Sequence, residues 1–275
     1  MSILITENKR CVPEESINAR ILLVHDSKSG TQGGAFSIQQ VIRESLKTHY
    51  QDVTYAHFQE LGQIRDFARF DCAISISPIC PILPIPLALT VWDTSHLQFP
   101  ALPEYQNGKG GWPLDSRDKY YHQALTHASS IIVGSEASKV DLMREYRVHP
   151  SKIEIIPFPI DKRFFEFSRR HVQSGCPRLF YPAQFWPHKN HVLLIKAMSI
   201  LVDRFPEIKL ALTGADKGNK GFVEELIISE NLESHVNLMG FVEQSELDAL
   251  YETSDLMVFP SLVGPCTLPP VESLA

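Results

Sequence analysis

The sequence predicts an α/β protein made of two successive Rossmann-like units. Two observations carry this: from Ala19 onward short apolar runs alternate with helix-length amphipathic segments, and that alternation runs through two series separated by a stretch without period. A chain of 275 residues, set against roughly 150 per domain, also favours two domains. The units fall at 1–160 and 178–275, joined by 161–177.

The first series opens with a strand at Ile21 to Val24, a glycine-rich turn from Ser29 to Gly34 and a helix from Phe36 to Lys47. Further strands follow at Cys72 to Ser75, Leu87 to Trp92, Ser130 to Val133 and Ile153 to Ile156. Between the strands at Leu87 to Trp92 and Ser130 to Val133 lies a Pro- and Gly-rich loop, Gln98 to Pro113, leading to a helix near Asp118 to His127. Loops of that length in compact domains are more often functional than idle. Ser135 is placed to cap a helix ending near Tyr146. The segment Asp161 to Pro177, with Arg163, Arg169 and Arg170, has no period and reads as the interdomain connection.

The second series predicts strands at Leu179 to Tyr181, Lys209 to Thr213, Val236 to Met239 and Leu256 to Phe259. Helices from His191 to Arg204, Lys220 to Ser229 and Gln244 to Thr253 alternate with them. In the last, the spacing of Leu247, Leu250 and Tyr251 buries one face. A doubly wound domain usually has about six strands. Only four precede Ala275, so the second unit is expected to be partial and the sequence a piece of a longer chain.

Composition narrows the function. With 44% apolar and 21% charged residues the chain can bury full cores, and its net charge of -6 argues against a general nucleic-acid binder, which needs a basic face. The five cysteines, Cys11, Cys72, Cys80, Cys176 and Cys266, are odd in number and never paired as CxxC, which suggests neither a disulfide framework nor a thiolate zinc site and fits a reducing cytoplasm. The first ten residues lack the apolar stretch of a signal peptide. Pro78, Pro81, Pro84 and Pro86 break the most apolar segment, so a soluble cytoplasmic protein is expected, at most peripheral to the inner face of a membrane.

The segment Val258 to Ala275 is the most informative. A strand runs into a loop of small residues, and Pro269-Pro270 stands where a helix begins. Backbone N–H groups of Cys266, Thr267 and Leu268 would then lie near a positive helix end suited to a diphosphate. Glu272 could accept two hydrogen bonds from a ribose diol, or simply complement the helix dipole.

This segment resembles the sugar-nucleotide loop of the retaining family-4 (group 1) glycosyltransferases, P-S-x-x-E-G-F-G-L-P-x-x-E, with closest kinship to a mannosyltransferase-like subtype. The spacing of Tyr181 to His191, Gly214, Gly240-Phe-Val242 and Leu250-Tyr251 supports the resemblance, which extends upstream through Val91 to Pro100 and Ile131 to Ser135. It implies the GT-B architecture, two facing Rossmann-like domains, with the acceptor on 1–160 and a nucleotide diphosphate-sugar on 178–275. The implied activity is retaining transfer of a hexosyl group, first choice mannosyl from a GDP-linked donor and second a UDP-linked hexose, to a glycan or lipid-linked acceptor in polysaccharide biosynthesis.

Carried over residue by residue, the resemblance makes Lys189 the contact to the donor diphosphate and the group that stabilises it on departure. Glu272 would hold the ribose, the peptides of Phe241 and Val242 would touch the nucleobase, and Gly33 and Gly34 would form the turn facing the cleft. Gln184 stands where the family carries an arginine, and Gly264 where it carries its first glutamate. Asp93 and His96 follow a strand, where open α/β sheets place ligands, and are the first domain's catalytic candidates. No DxD sequence occurs, and His188-Lys-Asn-His191 lacks an acidic companion, so no metal or other cofactor is expected; Lys189 and the helix end would take a metal's role. The missing charges at Gly264 and Gln184 keep open a non-catalytic sugar-nucleotide-binding or scaffold module, and a sugar-nucleotide epimerase or glycogen-type phosphorylase shares the architecture.

Overall fold

A computed structural model describes residues 17–25, 34–106, 114–167, 176–264 and 267–275. The first unit is a six-stranded, all-parallel sheet in the order β2-β1-β3-β4-β5-β6. Its strands are β1 (Ile17–His25), β2 (Tyr50–His57), β3 (Cys72–Ser75), β4 (Leu87–Val91), β5 (Ser130–Val133) and β6 (Ile153–Ile155). Helices α1 (Gly34–His49), α2 (Ser95–Gln98), α3 (Pro103–Gln106), α4 (Leu114–His127) and α5 (Glu136–Tyr146) connect them. Leu22, Val24, Leu89, Val91, Ile131 and Val133 are fully buried, as expected of central strands covered on both faces.

The second unit is a four-stranded parallel sheet in the order β10-β7-β8-β9, from β7 (Arg178–Pro182), β8 (Lys209–Thr213), β9 (Val236–Gly240) and β10 (Leu256–Met257). Helices α6 (His191–Leu201), α7 (Lys220–Ser229) and α8 (Gln244–Thr253) cross over it, and α9 (Leu268–Glu272) follows. Tyr181, Phe185, Ile195 and Met198 are fully buried in a core separate from that of the first sheet. The expected Rossmann-like class is therefore present twice.

Several elements differ from the sequence reading. β2 was not expected: Gln51 and Asp52 are exposed because the strand forms the edge of its sheet, and without a continuous apolar run it resembles a loop. The long loop from Gln98 contains α3, and α4 begins at Leu114, one turn before the expected start. The connection contains a 3₁₀ turn, Lys162–Phe165, capped by Asp161; its buried Phe164 meets the Tyr251 ring at 5.1 Å and so docks on α8. β10 spans only two residues, although the Val258 amide still donates to Phe180 at 2.9 Å. Among the described residues no helix is long and apolar enough to cross a membrane.

Candidate active site

Strand order positions the site. In the second sheet the chain leaves β7 toward β8 and β9 and returns to the other side of β7 as β10, so β7 and β10 flank a topological switch point. Loops leaving the carboxyl ends of two such strands diverge and open a crevice. Here those loops are 183–190 and 258–264, and they are tied together: the Leu262 amide donates to the His188 carbonyl at 2.9 Å, and Asn190 Nδ2 donates to the Pro260 carbonyl at 3.2 Å.

Local chemistry shapes the first loop. A 3₁₀ turn, Pro187–Lys189, ends at Asn190 in the left-handed region (φ 54°), a conformation asparagine tolerates; its side chain accepts from the Leu193 amide and starts α6. Tyr181 Oη donates to the Lys189 carbonyl at 2.8 Å, fastening the turn to the core. Gly214, φ 146°, closes the crevice from β8: a Cβ there would lie 2.2 Å from the Ala183 carbonyl oxygen, so only glycine fits without displacing backbone.

The crevice opens into a cleft of about 480 Å³ between the two units. The second unit contributes Gln184, Trp186, His188, Lys189, Gly264, Thr267, Leu268 and Pro269 to its lining. Opposite them stand Ser77, Trp92, Asp93, Tyr105, Arg117 and Tyr121, largely from the carboxyl ends of β3 and β4 and from α4, with Ile38 and Gln39 of α1.

Lys189 places a cation in this cleft. Its ammonium lies 5.6 Å from the centre of the Phe259 ring, and among the described residues no carboxylate is within salt-bridge distance. Burial lowers its pKa, an effect that the negative charge of Asp93 across the cleft opposes. Asp93 itself is held: its Oδ1 accepts from the Ser95 amide at 2.9 Å, the Ser95 hydroxyl and Arg117 at 2.9 Å. Burial acts to raise the Asp93 carboxyl, but Arg117 and the Ser95 donors outweigh it and keep its pKa below the usual aspartate value. The Asp93 carbonyl accepts from Tyr121 Oη at 2.9 Å, and the Ser95 hydroxyl bonds Tyr105 Oη.

The expected residues separate into two groups. Lys189, Gln184, Thr267, Leu268 and Asp93 share the cleft lining. Gln184 Oε1 accepts from Trp186 Nε1 at 3.0 Å. Thr267 makes no side-chain cap to α9, and Pro269 and Pro270 carry no N–H, so the amides of Thr267 and Leu268 are the donors nearest that helix start.

Other candidates stand outside that lining. His96, expected beside Asp93 at the cleft, is instead fully buried within a ring of tyrosines; Nε2 bonds Tyr146 Oη at 2.8 Å. Burial, helped by Arg117, lowers its pKa to about 4 against the opposing pull of Asp93 and Asp118. Glu272 accepts from Tyr251 Oη at 2.7 Å, and burial raises its pKa despite that bond. Phe241 and Val242 follow β9, with Phe241 47% exposed. Gly34 begins α1; Gly33 and Cys266 lie outside the described residues.

Residues not singled out from sequence complete the site. Arg117 and Tyr121 stand one helical turn apart on α4, both reaching Asp93. Tyr105 comes from α3, within the loop whose length had suggested a role. Gly264 has φ 141°, and a Cβ there would lie 2.4 Å from Thr267 Cγ2, so the loop in this form excludes a side chain at the position of the family's first glutamate.

Comparison with known proteins agrees with the fold. Residues 163–275 match the family model described as glycosyl transferases group 1. A D-inositol 3-phosphate glycosyltransferase of Pseudarthrobacter chlorophenolicus is 27% identical over 150 residues, covering 51% of this chain and 36% of its own. A mannosylfructose-phosphate synthase of Agrobacterium fabrum is 24% identical over 249 residues, covering 84% and 51%. The chain thus spans about a third to a half of the length of these relatives. Among solved structures, sucrose-phosphate synthase of Thermosynechococcus elongatus superposes with a TM-score of 0.72 at 16% identity, over 94% of this chain and 79% of that one. Anabaena HepE, crystallised with UDP-glucose, superposes at 0.65 and 17% identity, over 94% and 78%.

Proposed function

From a chain whose residues 163–275 belong to the group 1 glycosyl transferases and whose two Rossmann-like sheets form the GT-B fold, we infer a glycosyltransferase that moves a hexosyl group from a nucleotide diphosphate-sugar to an acceptor hydroxyl. The observation that carries this reading is the placing of Lys189 with Gly264, Thr267 and Leu268 at one switch-point crevice, facing Asp93 across the same cleft. The diphosphate would lie against Lys189 and the amides of Thr267 and Leu268, without a metal. Negative charge builds on it as the sugar–phosphate bond breaks, and an ammonium already held half-buried in the cleft opposes that charge.

The nucleoside would run along the carboxyl edge of the sheet. With strands about 4.8 Å apart, β9 lies about 10 Å from β7, which would bring the base to the peptides of Phe241 and Val242. Glu272 would take the ribose diol by exchanging its bond from Tyr251, and the Gly33-Gly34 turn and Cys266 would complete the donor side. Asp93, held by Arg117 and Ser95, would orient the sugar or the acceptor hydroxyl; His96 acts from beneath, by packing the tyrosines that hold this network.

A mannosyl donor linked to GDP is the first choice, its sugar in keeping with the names of two curated relatives, a mannosylfructose-phosphate synthase and a mannosyltransferase, and UDP-glucose the second, the ligand of HepE. Retention of anomeric configuration, a glycan or lipid-linked acceptor and a peripheral membrane location belong to the same reading. Titration of the chain with UDP and GDP tests it: one of them should raise the unfolding temperature, and protection by neither would overturn the donor assignment. A non-catalytic binding module is the second reading, favoured by Gly264 and Gln184, which stand where the family carries a glutamate and an arginine. Turnover of GDP-mannose and UDP-glucose against an acceptor panel separates the two, with the anomeric proton coupling of any product reporting retention.

A further inference from the structure

One buried carboxylate links the two domains from outside the residues assigned so far. Glu104, on α3 of the first domain, is only 5% exposed, and its Oε1 accepts from His188 Nδ1 of the second domain at 2.5 Å. Its other oxygen has no partner among the described residues. Burial acts to raise the Glu104 carboxyl, but the His188 side chain, with backbone donors of Glu104 and His188, outweighs it and lowers its pKa, so most of what offsets the cost of burial comes from His188. His188 immediately precedes Lys189 in the Pro187–Lys189 turn, and its carbonyl receives the Leu262 amide of the second crevice loop. Tyr105, next to Glu104, bonds the Ser95 hydroxyl that in turn bonds Asp93.

On the reading of the cleft as a donor site, we propose that Glu104 is a positioning residue: by capturing His188 across the domain interface it sets the Lys189 turn opposite Asp93 and holds the cleft in its closed arrangement. A single four-residue turn then gauges both walls, Glu104 through His188 and Tyr105 through Ser95. Nothing in this role requires Glu104 to touch a substrate.

Amide hydrogen exchange on the full chain, without ligand, tests the link directly. The Lys189 and Asn190 amides bond to the Trp186 and Pro187 carbonyls, and the Tyr105 amide to the Leu102 carbonyl. Loss of one charged hydrogen bond should speed exchange of Lys189 and Asn190 on the order of tenfold in Glu104→Gln, with 209–213 unchanged. His188→Gln should reciprocally speed Tyr105, and the double variant should exchange no faster than the faster single one. A merely local role of Glu104 would loosen 103–106 alone; that result, or effects that multiply in the double variant, overturns the proposal. If Glu104→Gln disturbs the whole fold, His188→Gln decides by the Tyr105 amide: unchanged exchange there refutes the link. Nucleotide titration of the unaltered chain fails separately: absence of UDP and GDP binding sinks the donor reading and leaves the exchange result standing.

Discussion

Replacing Lys189 by methionine keeps an apolar stem in the cleft and removes the one charge on which diphosphate binding is proposed to depend. At about 4 Å and an effective dielectric near 20, an ammonium and a phosphate oxygen attract by about 4 kcal/mol. After desolvation of both partners a charge-assisted hydrogen bond nets about 1.5–3 kcal/mol, which is a loss of about 10- to 150-fold in affinity for UDP or GDP. Stability should move the other way. Burial lowers the folded-state pKa of Lys189, so the unfolded chain holds that proton more tightly and stability rises as pH climbs between the folded value and the usual 10.5. At neutral pH the folded chain carries the full cost of the charged form, and Lys189→Met should unfold at the same temperature or higher. Calorimetric titration and thermal melts measure both effects. Affinity within about twofold of the parent chain, or a melting temperature lower by more than about 4 °C, would refute the assignment of Lys189 as an unpaired, functionally retained cation.

Four other perturbations probe the scaffold and the first-domain wall. Gly214→Ala forces a Cβ to 2.2 Å from the Ala183 carbonyl oxygen at a φ of 146°, and should cost about 3 kcal/mol or more in urea unfolding. Gly264→Ala should cost about 1–3 kcal/mol, and adding Thr267→Ser, which removes the facing methyl, should recover only the steric part because the positive φ remains. Asp93 contributes stability that is present above the usual aspartate pKa and lost as pH falls toward its depressed folded value; a urea midpoint series between about pH 6 and 3 should show a shallower acid limb for Asp93→Asn. Tyr251→Phe leaves the Glu272 carboxylate without its 2.7 Å donor and should destabilise by about 1–2 kcal/mol, read from the shift in chemical unfolding.

Much of the fold was readable because its strands are buried on both faces. Ile21 to Val24, Ile131 to Val133 and Leu210 to Leu212 follow the rule that parallel strands under two layers of helices are continuous apolar runs. The same rule hides β2, whose edge position leaves Gln51 and Asp52 in solvent. Within the site, Thr267-Leu268 were readable because they stand between a strand end and the helix start at Pro269-Pro270, whereas Lys189 was readable only through the resemblance to the glycosyltransferase family. Arg117 carried no such signal: it lies on a helix whose start was placed one residue after it, and its partner Asp93 is 24 positions away.

Sequence periodicity alone determined that this chain folds as two parallel α/β units, since burial on both faces dictates residue types strand by strand and needs no knowledge of neighbours. It also located the loops at the strand ends where an anion can be held. Tertiary structure decided which side chains those loops share a cavity with. It turned His96 inward among tyrosines, set Asp93 under Arg117, and brought Glu104 to His188 across 84 positions of chain. The first two pairings lie inside one core and the third joins two separately folded ones, yet all depend on electrostatic and steric terms between residues remote in sequence, which leave no periodic trace in it.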